Sequence, residues 1–146
     1  MTETRAVQPQ RGLLQEVDDA VFRLARLLDR QMAIAVAPER MTALAGRVLC
    51  SISAVASQRE LGAALGLGPA QVSVTVSELV ERKLVERKGD TGDHRLRRPQ
   101  LTAKGRAAVG RIGTRLARES AIGQALDERQ LRTLLKTLRR IEDGTR

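Results

Sequence analysis

Apolar residues return at steps of three and four along most of the chain, interrupted by short polar or glycine-bearing stretches, and this period predicts a succession of amphipathic helices. Between Leu13 and about residue 36 one row runs Leu14, Val17, Val21, Leu24 and Leu28, and a second runs Leu13, Ala20, Leu27 and Ile34. Two rows make an apolar arc wider than one packing partner requires. Ala37-Pro38 ends the pattern, because proline removes a donor and disfavours helix in the residue before it. The polar stretch from Met1 to Gly12 reads as a flexible leader.

Thr42 is placed to cap a second helix that turns Leu44, Val48, Leu49 and Ile52 inward. Ser57-Gln58-Arg59-Glu60 has the spacing of a capping box and opens a short helix with Leu61, Ala64 and Leu65 on its inner side. Gly66 and Gly68 supply a tight turn, and Pro69 suits the first position of the helix that follows, to about Arg82. On that helix Val72, Val76, Leu79 and Val80 share one side, Ala70, Val74 and Ser77 point away from it, and Gln71, Ser73 and Thr75 lie on the flanks.

Leu84 to Lys88 and Arg95 to Thr102 read as two short strands around a Gly- and Asp-rich hairpin loop, with Pro99 restricting the second to an edge. Thr102 then caps another helix, along which Val109, Ile112 and Leu116 recur. Asp127-x-x-Gln130 is a second capping box, followed by Leu131, Leu134, Leu135, Leu138 and Ile141. The expected fold is mainly α with a small two-stranded wing. A winged helix-turn-helix lobe over 42–104 is flanked by an N-terminal helix (13–36) and C-terminal helices (105–146). Both flanks are expected to dimerise, since the first helix carries more apolar surface than so small a lobe can cover; the alternative is that the C-terminal helices only cover the lobe's own core.

Charge sharpens the picture. From Arg82 to Arg118 there are 12 Lys or Arg against 3 acids, a net of +9 that equals the whole net charge of the chain. Clustered cations favour a polyanion partner through counterion release, although a basic solvated face is the plainer explanation of charge alone. One Phe and no Tyr or Trp leave little for base stacking, so double-stranded DNA is the expected polyanion rather than single strands. The outer face of the helix from Pro69 is small, neutral and hydrogen-bonding, suited to close approach to base edges: Ala70, Gln71, Ser73, Val74, Thr75 and Ser77 are the expected readers. Arg87, Lys88, Asp93, His94, Arg95, Arg97 and Arg98 are the expected wing contacts. An ordinary amphipathic helix and an exposed loop ion pair between Asp93 and Arg95 are the alternatives.

Between Thr42 and Gly105 the chain resembles the MarR (multiple antibiotic resistance regulator) family of winged helix-turn-helix transcription regulators. The resemblance is carried by Glu60-Leu61, Leu65-Gly66, Pro69, Val72-Ser73, Leu79, Leu84-Val85, Arg87, Asp93, Arg95, Leu101-Thr102 and Gly105. Its most specific part is the aspartate, the arginine two residues on, and the Leu-Thr eight and nine residues after the aspartate. The resemblance implies a homodimer interlocked through the first and last helices. It further implies a helix from Pro69 in the major groove and Arg95, steadied by Asp93, in the minor groove. It also implies a ligand pocket between the dimer helices and the lobe, here with Phe22 as the lone aromatic and Arg23, Arg26 or Arg47 as anion anchors. A small aromatic or lipophilic acid is the effector so implied. Val74 departs from a family position usually charged or long and polar, and Lys83 stands where glycine is usual.

Enzyme chemistry is not expected. His94 has no second ligand at metal spacing, and Gly66-Leu67-Gly68 lacks the strand and third glycine of a nucleotide loop. A single Cys, Cys50, excludes an internal disulfide and a Cys-rich zinc site, and it reads as a small core residue rather than a redox sensor. No cofactor is expected, no signal or membrane segment is evident, and a cytoplasmic location follows. The expected function is a sequence-specific, ligand-responsive repressor that binds a palindromic operator as a homodimer. The alternatives are a non-specific architectural DNA-binding protein and a winged helix serving as a protein-interaction module, the last disfavoured by the arginines around the wing.

Overall fold

The computed structural model describes residues 7–89 and 98–145. Helix α1 (Val7–Val36) passes through a 3-10 turn (Ala37–Glu39) into α2 (Ala43–Ser51), and a second 3-10 turn (Ile52–Ala54) leads to α3 (Gln58–Leu65) and α4 (Pro69–Glu81). Strands β1 (Val85–Lys88) and β2 (Arg98–Leu101) follow, then α5 (Ala103–Glu119), α6 (Ala121–Ala125) and α7 (Glu128–Gly144). β1 and β2 pair antiparallel, with Val85 opposite Leu101 and Lys88 opposite Arg98. No single helix among the described residues is long and apolar enough to cross a membrane.

The expected caps are in place. Thr42 accepts from the Ala45 amide at 3.1 Å, Thr102 from Gly105 at 3.0 Å, and Asp127 with Gln130 closes a reciprocal box. Ser57 accepts from the Glu60 amide, but Glu60 reaches one residue beyond the usual box and takes the Ala56 amide at 2.7 Å. Gly66 sits at φ 65° and ends α3 by returning its amide to the Gly62 carbonyl. Lys83 adopts φ 59°, so the turn after α4 keeps the left-handed geometry for which glycine is better suited. The turn closes as Lys83 donates to the Val80 carbonyl and Leu84 to that of Leu79.

Three boundaries differ from those read in the sequence. α1 begins at Val7, inside the stretch expected to be a leader. Pro9 falls in its first turn, where a missing amide hydrogen has no intrahelical partner to lose. The lobe also extends past both of its expected ends. Met32, Ala35 and Val36 from α1 and Ala108 and Ile112 from α5 belong to the same core as Val48, Leu61, Val76 and Leu79. Val109 and Leu116 pack against that core, so the first half of α5 completes the lobe rather than standing apart from it. Ala64, expected inside, is exposed, and Gly62 takes the buried position on α3.

α5 lies close against the base of the wing. A Cβ added at Gly105 would lie 2.0 Å from the Leu84 carbonyl oxygen, so only glycine fits there without backbone movement. That carbonyl accepts from the Thr102 amide at 3.1 Å, and the Thr102 hydroxyl donates to the Lys83 carbonyl at 2.7 Å.

Two surfaces remain apolar and uncovered within one chain. Leu13, Leu14, Val17, Val21, Phe22 and Ile34 stand exposed along α1, and Leu135, Leu138 and Ile141 along α7.

Candidate nucleic-acid interface

The Gly66–Gly68 turn holds α3 and α4 at 114° to one another. Apolar residues of α4 face inward: Val72, Val76 and Leu79 are buried with Leu61 of α3. What α4 turns outward is Ala70, Gln71, Ser73 and Val74, all exposed, with Val74 at 69%. From Ala70 to Val74 this face carries no charged side chain.

Two expected readers are placed differently. Thr75 is 6% exposed, and its hydroxyl donates to the Gln71 carbonyl one turn earlier at 2.8 Å. At about 100° per residue it lies only about 40° from Leu79, which puts it on the core side despite its polarity. Ser77 is half-buried, and its oxygen accepts from Arg87 Nη2 of β1 at 2.9 Å. Glu78, not anticipated from the sequence, is exposed on the outward side, about 40° from Val74 by the same helical count. With Glu81 it makes α4 a helix with two acids and no cation.

The wing cations divide into two kinds. Lys88 is exposed and lies 3.3 Å from Glu86. Arg87 is half-buried against Ser77, and Arg98 donates from Nε to the Ala56 carbonyl at 2.9 Å. Asp93, His94, Arg95 and Arg97 lie outside the described residues.

Much of the basic stretch from Arg82 to Arg118 is bound to the protein itself. Arg82 donates to the carbonyls of Glu39 and Arg40. Arg111 forks onto the Glu39 carboxylate at 2.9 and 2.7 Å, and Arg115 reaches it at 3.0 Å while also donating to the Ala35 carbonyl. The Arg111 hydrogen bonds, with help from Arg115, hold the Glu39 carboxyl down at about 2, well below the usual carboxylate range. Lys104 and Arg106 donate to the carbonyls of Arg82 and Leu101. The local excess of charge therefore overstates the number of cations free for an outside polyanion.

The expected pocket residues are not gathered within one chain. Phe22, Arg23 and Arg26 are exposed on α1, and Arg47 of α2 is held by Asp29 at 2.9 Å. Phe22, Arg26 and Asp29 do share one stripe of α1, so the side of α1 that carries Phe22 continues to the contact with α2. Cys50 is half-buried against the core, and burial pushes its thiol up from the ordinary range.

A short helix, a glycine turn, an inward-packed second helix with a small outer face, and a two-stranded hairpin define a winged helix-turn-helix protein. Residues 41–96 match the MarR family model. No curated protein matches the sequence significantly. Among solved structures, CouR from Rhodococcus jostii RHA1 bound to p-coumaroyl-CoA is 25% identical with a TM-score of 0.68, over 95% of this chain and 96% of that one. A mutant MarR from E. coli complexed with operator DNA is 22% identical with a TM-score of 0.68, over 86% and 93%. A MarR family regulator from Listeria monocytogenes complexed with 26mer DNA is 17% identical with a TM-score of 0.75, over 86% of each chain.

Proposed function

We propose that the chain is a double-stranded DNA-binding transcription regulator that acts without enzymatic chemistry, as a ligand-responsive repressor on a palindromic operator. The observation that carries this reading is the outward face of α4, small and uncharged at Ala70, Gln71, Ser73 and Val74, beside a hairpin flanked by arginines. Gln71 bonds adenine edges and Val74 meets a thymine methyl, while Lys88, Arg95 and Arg97 meet the backbone and the minor groove. The E. coli and Listeria relatives solved with DNA support this use of the fold.

A palindrome asks for two lobes. The apolar rows left open on α1 and α7 are of the kind that a second copy covers, and we infer a homodimer joined through them. The effector we infer is an aromatic or lipophilic acid bound beside Phe22, Arg23 and Arg26. The p-coumaroyl-CoA held by CouR supports a ligand of that chemistry, and Arg47 joins such a site only by leaving Asp29. The architectural alternative has one observation in its favour, the absence of any cation on α4.

Binding of a palindromic duplex from the protein's own promoter, compared with random duplex at two salt concentrations, tests the reading. A specific regulator holds the operator at least about a thousandfold more tightly. Equal affinity for both duplexes leaves the architectural function, and no salt-dependent binding to either overturns DNA binding altogether.

A further inference from the structure

The wing is held from both sides towards the loop end of its strands. On one side, Arg87 of β1 donates to the Ser77 hydroxyl of α4 at 2.9 Å. On the other, Arg98 of β2 donates to the Ala56 carbonyl at 2.9 Å, and the amide of Ala56 is in turn held by Glu60 of α3. Between the two anchor points the strands are in register, Arg87 opposite Pro99 and Lys88 opposite Arg98, with Pro99 buried. Ser77 lies on α4 between the exposed Val74 and the buried core residues, where it can see the wing but only obliquely an outside partner.

We propose that Arg87 and Ser77 are a pair of positioning residues that set the angle between α4 and the wing, and so the distance between what the major groove and the minor groove receive. This rests on the DNA-binding function proposed above. A guanidinium has five donors, and here one of them is fixed on the helix that reads. Its half-buried position keeps it in that geometry, whereas an exposed phosphate contact such as Lys88 has no such constraint. The pair then acts on recognition without touching a base. Loss of either partner frees the wing from α4 to the same extent, so loss of both adds nothing.

The test is a double-mutant cycle of Ser77→Ala and Arg87→Ala, with Ser77→Thr as a variant that keeps the hydroxyl, in the full-length chain. Affinity for the operator duplex and for random duplex is read across a salt series, and far-UV circular dichroism monitors folding. Each single substitution should weaken operator binding by about tenfold, the double substitution by no more than either, and Ser77→Thr should restore most of the loss. The salt slope should stay as in the wild type. If Arg87 is instead a phosphate contact, its loss lowers the slope by about 0.9 and Ser77→Ala leaves affinity unchanged, which overturns the proposal. Additive losses overturn it too, since they make Ser77 an independent reader. A wild-type chain that binds neither duplex overturns the DNA-binding function and this inference with it, whereas the other outcomes overturn this inference alone.

Discussion

Replacing Glu39 by Gln keeps the shape of the side chain and removes the charge on which Arg111 and Arg115 converge. Its side chain is only 12% exposed, against 52% for Arg111 and 30% for Arg115. The folded state lowers the carboxyl from 4.5 to about 2, which at about 1.4 kcal/mol per pH unit bounds the stabilisation at about 3 kcal/mol. Half of the Arg111 side chain is in water, so screening reduces this to roughly 1–2 kcal/mol. Because the folded value lies below the unfolded one, the contribution is complete above about pH 4.5 and is lost progressively as the pH falls towards 2. Urea unfolding at a fixed protomer concentration, followed by circular dichroism because the chain lacks Trp and Tyr, gives the measurement. Wild type should exceed Glu39→Gln by roughly 1–2 kcal/mol at pH 7, and more than half of that difference should be gone by pH 3. Equal stability at pH 7, or a difference that does not change with pH, would refute the reasoning.

Lys83→Gly should raise stability by about 0.5–1 kcal/mol in the same assay, because it relieves a left-handed residue while adding freedom to the unfolded chain; a loss would show that the Lys83 side chain matters more than its backbone. Gly105→Ala should cost at least about 2 kcal/mol, since its Cβ would meet the Leu84 carbonyl at 2.0 Å, and an unchanged midpoint would mean that α5 can move away from the wing. Gln71→Ala should cost roughly 1–3 kcal/mol on the operator and far less on random duplex. Thr75→Ala should leave operator affinity alone and cost about 1 kcal/mol of stability through its internal hydrogen bond; selective loss of operator binding by Thr75→Ala would put it back among the readers.

The helix caps at Thr42, Ser57, Thr102 and Asp127 were legible because each is a local event, a side chain meeting an amide three residues on. The inward row of α4 and the two strands of the wing were legible for the same reason. Polarity misled at Thr75, where a hydroxyl satisfied by its own helix is as much at home in the core as a valine. The roles of Arg82, Arg111 and Arg115 were not readable, because their partner Glu39 lies 43, 72 and 76 residues away along the chain and such pairs leave no periodic trace. Ile112 was misassigned because helical spacing tells that a face is apolar but not what will cover it. For the same reason the spacing of Phe22, Arg23 and Arg26 does not tell what meets these exposed side chains.

The turn after α1 is the joint at which three helices meet. Arg82, at the end of α4, holds its carbonyls at Glu39 and Arg40, while Arg111 and Arg115 of α5 hold its carboxylate. A joint tied in three directions behaves as a node in a truss, which transmits displacement, rather than as a hinge, which absorbs it. α1 is 30 residues long and only its last turns are seated in the core, so its free length is a lever arm on that node. A rotation of α1 would therefore bear first on the C-terminal end of α4, at Arg82.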